Sequence, residues 1–294
     1  MAADGVKVQM VVTSPPYWGL RDYGVEGQIG LEETPEEYVA TMAKVFRLVR
    51  EVLADDGTLW LNLGDSYAHN GPCGGSSPDG PRQARETDRE KQKQMGYRVP
   101  VGLKPKDLCG IPWRVALALQ ADGWYLRSDI IWHKPNPMPE SVTDRPTKAH
   151  EYLFLLTKRP KYYYDDAAIL EGSRNREGGN LEASEFATLD PVKGQTRANL
   201  HKIPARPTRN RRTVWTIPSQ HYAEAHFATF PEKLVEPCIL AGSRPGDIVL
   251  DPFMGSGTVA QVAQRLGRRW IGIDLNSSYI DMQRPRVAQW AMAL

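Results

Sequence analysis

Two short stretches of this chain combine residue types in ways that can serve chemistry. Asp251-Pro252-Phe253-Met254-Gly255-Ser256-Gly257-Thr258 links an apolar run to a helical pattern, and 16 residues after Thr258 a second apolar run ends in Gly272-Ile273-Asp274. Glycines let a backbone approach a ligand closely, and a helix start offers free N–H groups to an anion. An acid at a strand end can accept both hydroxyls of a ribose. The combination points to an adenosine-cofactor site. Gly255, Gly257 and Ala260 also satisfy the loose pattern of a nicotinamide dehydrogenase. A dinucleotide fold, however, continues through several more strands, whereas only 20 residues follow Asp274. The second stretch is Thr13-Ser14-Pro15-Pro16-Tyr17-Trp18. Its two prolines fix the backbone, so the Ser14 hydroxyl and the Pro15 carbonyl become fixed acceptors, and the Tyr17 ring offers a planar base a stacking surface. Such a site would hold an exocyclic amine by its hydrogens.

These stretches need elements to position them. Val6 to Val12 reads as a strand that Pro15 and Pro16 must stop. Thr34-Pro35-Glu36-Glu37 supplies an N-cap, a proline at the first helical position and an acidic first turn, and apolar residues from Tyr38 to Leu53 follow at helical spacing. Thr58 to Leu63 predicts a second strand closing at Gly64-Asp65-Ser66-Tyr67. Pro112 opens a helix to Ala121, and Trp124 to Trp132 a third strand. Glu151 to Thr157 and Tyr162 to Tyr164 read as a strand and its paired return. Beyond residue 213 the pattern is helix from Pro231, strand 247–251, helix 257–266, strand 269–274 and a last helix from about Ser277. Alternating strands and helices of these lengths predict an α/β fold with a mainly parallel sheet and helices on both faces. Ligands of such sheets gather at the carboxyl ends of strands, where Ser14–Trp18, Gly64–Tyr67 and Asp251–Thr258 all fall.

Composition narrows the function classes. At 294 residues the chain can bury roughly three quarters of its unfolded surface. No apolar run approaches the roughly 18 residues of a membrane span, and the N-terminus lacks the pattern of a secretory signal. Cys73, Cys109 and Cys238 form no CxxC pair, so the expectation is a reducing cytoplasm without a disulfide framework. Six histidines show no HExxH and no ligand spacing with cysteine, so no metal is expected. The net charge is only +2, but it is unevenly spread. Arg82 to Lys106 holds eight Lys/Arg against three Asp/Glu, and Gly172 to Thr213 nine against four. Both segments lack apolar periodicity and read as basic loops, suited to a polyanion.

In order along the chain, these motifs resemble the DNA amino-methyltransferases, specifically the permuted group in which the catalytic motif precedes the cofactor motif. Thr13 to Tyr17 resembles the catalytic motif, Asp251 to Thr258 the cofactor loop, and Ile271 to Asp274 the following acidic strand end. Leu61 to Tyr67 and His226 to Leu234 resemble two further motifs of the family. The resemblance implies a Rossmann-like fold that uses S-adenosylmethionine to methylate cytosine N4 or adenine N6 in double-stranded DNA.

Residue by residue, the resemblance makes Ser14, Pro15, Pro16 and Tyr17 catalytic. Asp65, Phe230, Asp251, Phe253, Gly255, Ser256, Gly257, Thr258 and Asp274 become the cofactor site, with Asp274 on the ribose and Asp65 at the methionine end. Adenine-specific relatives more often carry Asp or Asn where this chain has Ser14, so cytosine N4 is favoured over adenine N6. The implied organisation is a catalytic half over residues 1–166 with a basic loop at 68–110, a target-recognition insertion at 167–213, and a cofactor half at 214–294. Arg209, Arg211 and Arg212 of the insertion are candidates for DNA contact. A homodimer and a cognate restriction endonuclease are partners such an enzyme can have. Family members also carry a strand and a Gly-Asp pair ahead of the catalytic strand, whereas only a few residues precede Val6 here, so the expectation is either a truncated start or another segment in their place. An inactive DNA-binding relative is the alternative that follows from it.

Overall fold

The computed structural model describes residues 5–20, 22, 24–68, 102–173, 207–221, 228–229 and 231–288. Residues 1–165 with 213–294 form one compact unit, and residues 166–212 a second.

In the first unit, β1 (Val8–Thr13) is apolar almost throughout and Val8, Met10, Val11 and Val12 are completely buried, as a strand covered on both faces requires. The helix α1 (Pro35–Val52) starts at the expected N-cap, which the structure completes as a capping box, Thr34 and Glu37 each accepting from the other's backbone, and buries Tyr38, Met42, Phe46 and Val49 along one face. β2 (Leu53–Leu63) begins five residues earlier than its sequence suggested. Its first residue pairs with Val8 across a bulge, which carries the polar run Asp55-Asp56-Gly57 into the strand. α2 (Ile111–Ala121), β3 (Tyr125–His133) and β4 (His150–Thr157) follow.

β5 (Glu171–Gly172) and β6 (Thr208–Arg209) pair within the second unit. The first unit then resumes with β7 (Val214–Thr216), the short pair β8 (Gln220–His221) and β9 (Ala228–Thr229), and α3 (Glu232–Gly242). β10 (Ile248–Asp251), α4 (Thr258–Arg265), β11 (Arg269–Gly272) and α5 (Ser278–Ala288) complete it.

The main sheet has the order β11-β10-β1-β2-β4-β3-β7. Neighbours run parallel except around β4, which is antiparallel to both β2 and β3. From β1 the chain builds outward through β2. Its later part returns to the other side of β1 as β10 and builds outward again to β11. The connections after β1 and β10 therefore diverge and leave a crevice at the carboxyl edge. Because β4 is reversed, its first residues reach that edge too: Tyr152 pairs with Leu63, and Glu151 with Trp132.

The paired return expected at Tyr162–Tyr164 does not form; β4 takes β2 and β3 as its neighbours instead. Each tyrosine of that run has an aromatic or cationic contact in place of a ladder. Arg127 lies over the Tyr162 ring at 5.7 Å, Arg244 over Tyr163 at 3.8 Å, and Tyr164 stacks on Trp60 at 6.4 Å.

Candidate active site

The prolines end β1 and carry Ser14 and Tyr17 over the end of β2. The Ser14 hydroxyl lies 3.2 Å from Asn62 Oδ1 and 3.3 Å from the Tyr17 hydroxyl. Tyr17 donates within 2.9 Å of Asn62 Oδ1 and 2.8 Å of Glu151 Oε2. The Asn62 amide nitrogen donates to the Tyr152 carbonyl at 3.0 Å and to Glu151 Oε2 at 3.3 Å, which fixes its oxygen towards the two hydroxyls. The other Glu151 oxygen pairs with Lys134, whose ammonium also sits 4.2 Å from the Trp132 ring centre. Burial first, and then the Glu151 carboxylate, push the Tyr17 phenol well above its usual range, so it stays a proton donor.

Three further contacts set the geometry of this corner. The Tyr38 hydroxyl donates to the Pro16 carbonyl at 2.9 Å, while no donor among the described residues is bonded to that of Pro15. Gly64 backs the Tyr17 ring so closely that a Cβ there would lie 2.5 Å from the ring edge. The Trp18 indole nitrogen is tied to the Glu32 carbonyl at 2.9 Å.

The cofactor loop is closed largely by main-chain donors. Asp274 accepts from Gly255 N at 2.7 Å on one oxygen and from Asn276 N at 2.8 Å on the other. Gly257, at φ +84°, is the left-handed residue that turns the loop into α4, and no side chain caps that helix. From α5, Gln283 bonds the Gly255 carbonyl at 2.8 Å, and Arg286 bonds the Ser256 carbonyl and hydroxyl at 2.9 and 2.8 Å. Asp251 joins the two halves of the crevice. Its Oδ1 accepts from Thr13 Oγ1 at 2.6 Å and from Phe253 N at 3.0 Å, and burial raises its carboxyl to about 7.

Not every expected residue arrives at the crevice in the expected way. Asp65 Oδ1 accepts from Ser66 N and from Ile111 N, both at 3.0 Å, so it anchors the start of α2. Its backbone carbonyl accepts from Lys148 Nζ. Phe230 lies outside the described residues, as do 69–101 and 174–206, which hold most of both basic segments. In the second unit, Arg209 and Arg212 both pair with Glu171, at 2.7 and 2.6 Å, and Arg211 is half-buried. No group of His, Cys, Asp and Glu able to hold a metal ion occurs among the described residues. Sequence reasoning missed Glu151 and Lys134 as members of the site. Each stands at a strand end, but only the register of β3 with β4 joins them.

A doubly wound sheet with a glycine loop and a strand-end acid beside its switch point defines a nucleotide-cofactor transferase fold of the methyltransferase kind. The fold resembles that of the PvuII DNA methyltransferase (cytosine-N4-specific), with TM-score 0.61 and 19% identity, over 96% of this chain and 81% of that one. It also resembles a putative DNA modification methylase from Thermus thermophilus solved with S-adenosyl-L-methionine, with TM-score 0.56 and 22% identity, over 98% and 89% of the two chains.

Sequence comparison goes further than fold. The DNA methylase family model matches residues 8–284. The type II methyltransferase M.Cfr9I of Citrobacter freundii is 50% identical over 277 residues, 94% of this chain and 79% of that protein. M.SmaI of Serratia marcescens is 49% identical over 280 residues, covering 94% and 83%. The chain belongs to the DNA methylase family: it is a DNA methyltransferase of the restriction–modification type that uses S-adenosylmethionine.

The residues present suit that cofactor. Each Asp274 oxygen keeps a lone pair beyond its backbone bond for a ribose hydroxyl. The uncapped start of α4 presents amides to a carboxylate, and the acids Asp251 and Asp274 suit a sulfonium better than a pyrophosphate.

Proposed function

We propose that the enzyme methylates the N4 amine of cytosine in double-stranded DNA after the base has been flipped out of the duplex. The observation that carries this reading is the hydroxyl of Ser14, held against Asn62 and Tyr17 at the catalytic edge, where adenine-specific relatives more often place a carboxylate or amide. The flipped base stacks on Tyr17, and its amine donates to Ser14 Oγ and to the Pro15 carbonyl. Tyr38 supports this choice of carbonyl, since it already occupies that of Pro16. S-adenosylmethionine supplies an electrophilic methyl group, cradled by Phe253 and residues 255–258 with Asp274 on the ribose. Direct attack by the amine needs no covalent enzyme intermediate. Alignment of the two reactants can then remove roughly 7–11 kcal/mol of barrier.

In the same reading residues 167–213 recognise the target sequence, with Arg209, Arg211 and Arg212 on its phosphates. The enzyme works in the cytoplasm alongside a cognate restriction endonuclease, as the type II relatives suggest. Among the described residues no helix is long and apolar enough to cross a membrane. The test is to incubate the protein with methyl-labelled S-adenosylmethionine and unmethylated DNA of mixed sequence, then identify labelled nucleosides by mass spectrometry. N4-methylcytosine is expected; N6-methyladenine overturns the reading of Ser14.

A further inference from the structure

The proton released by the amine needs a destination, and the side chains around Ser14 form a path to one. We infer that Glu151 receives it, through the hydroxyls of Ser14 and Tyr17. The inference rests on the reading that Ser14 holds the target amine. Ser14 Oγ lies 3.3 Å from the Tyr17 hydroxyl, which lies 2.8 Å from Glu151 Oε2. Asn62 cannot end the path: its oxygen accepts hydrogen bonds but is a very weak base, and its nitrogen is already donating to Glu151 and to the Tyr152 carbonyl. Glu151 is the carboxylate in this network. Lys134 pairs with its other oxygen from the end of β3, and Lys148 and His150 lie near it at the start of β4.

The step balances. The amine nitrogen bonds to the methyl carbon, whose bond to sulfur breaks with the electron pair left on sulfur. The nitrogen gives one proton to Ser14 Oγ while Ser14 gives its own to Tyr17 and Tyr17 gives its own to Glu151. A sulfonium and a carboxylate become a neutral thioether and a neutral carboxylic acid, so the reacting groups leave no charge on the methylated base, and the Lys134 ammonium remains beside Glu151 until solvent takes the proton. The arrangement also explains why the phenol is backed by Gly64 and held neutral: a phenolate could not pass a proton on to Glu151.

Single-turnover methyl transfer tests this, with enzyme in excess, methyl-labelled S-adenosylmethionine and long unmethylated DNA. Glu151→Gln retains an acceptor oxygen for Tyr17, and Tyr17→Phe retains the ring. Each should slow transfer about 100-fold, and the double variant should be no slower than the slower single one. Equilibrium titrations with DNA and with S-adenosylhomocysteine should stay within about 2-fold of the parent.

Transfer within about 3-fold of the parent in either variant, or effects that multiply in the double variant, would overturn the relay. Should Glu151→Gln not fold, Tyr17→Phe decides alone. Ser14→Ala separates the two levels of the argument. Parental rates in Ser14→Ala sink the amine site and the relay with it, whereas a slow Ser14→Ala beside a fast Glu151→Gln sinks the relay only.

Discussion

The two sides of the crevice are built by different means. On the cofactor side, the loop 251–258 is closed by main-chain donors to Asp274 and by α5 side chains on its carbonyls, all drawn from the last 44 residues of the chain. On the base side, Ser14, Tyr17, Asn62, Glu151 and Lys134 come from four strand ends and meet almost entirely through side chains. A backbone-built loop tolerates neighbouring substitutions because its donors survive them. A side-chain network loses a partner with every substitution and leaves a buried polar group unpaired. Failures on the two sides should therefore look different.

The largest difference is expected for Tyr17→Ala. It removes the stacking surface and cuts Ser14 off from Glu151, and misplacement at a reacting centre is costly. Turnover should fall at least about 1,000-fold, or about 4 kcal/mol, while S-adenosylmethionine affinity measured by calorimetry stays unchanged. A matching loss of cofactor affinity would show that the two sides are not separable.

Asp251 is where they touch, and its effect should appear in stability against pH. Burial raises its carboxyl from 3.8 to about 7, so the folded chain binds a proton that the unfolded chain releases. That contribution is complete below the unfolded value and is lost as pH rises through about 7. Between about pH 5 and 8 the parent should lose about 3 kcal/mol that Asp251→Asn does not, read as the difference in urea unfolding free energies. Asparagine keeps an acceptor for Thr13 and Phe253 N, so the link between β1 and β10 survives. Parallel pH curves for the two proteins would show that the aspartate is ionised throughout.

Asp274→Ala addresses the cofactor side alone. It removes the acceptor of two backbone donors and the proposed ribose contact. Cofactor affinity should fall about 30-fold, near 2 kcal/mol, with the maximal rate at saturating cofactor changed much less. Unchanged affinity would remove Asp274 from the ribose.

This contrast also explains what could be read in advance. The glycine loop and its acid lie within 24 residues of each other, so turn chemistry, helix start and strand end are all local signals. The N-cap at Thr34 and the buried face of α1 were legible for the same reason. Glu151 lies 134 residues from Tyr17, and Thr13 lies 238 from Asp251. No local pattern links such pairs; strand order and register do, and both depend on the reversal of β4. Tyr162–Tyr164 misled because β-formers were read as pairing, when rings can equally be placed by Arg127, Arg244 and Trp60. Asp65 carries a contact no local pattern announces: its Oδ1 accepts from Ile111 N, 46 residues away, at a helix start without a side-chain cap.

The smallest effect is expected in the second unit. Arg209 and Arg212 share one Glu171 oxygen, so two guanidinium charges face a single carboxylate. Replacing Arg209, Arg211 and Arg212 with Ala should weaken DNA binding about 10-fold and flatten the salt dependence by roughly 0.9 for each phosphate no longer neutralised, with single-turnover chemistry on bound DNA little changed. Glu171→Ala is the informative partner. If the arginines serve DNA, removing the competing carboxylate should leave affinity intact or raise it. If they serve only to hold β5 against β6, Glu171→Ala and the triple variant should both lower thermal stability, and neither should change the salt slope.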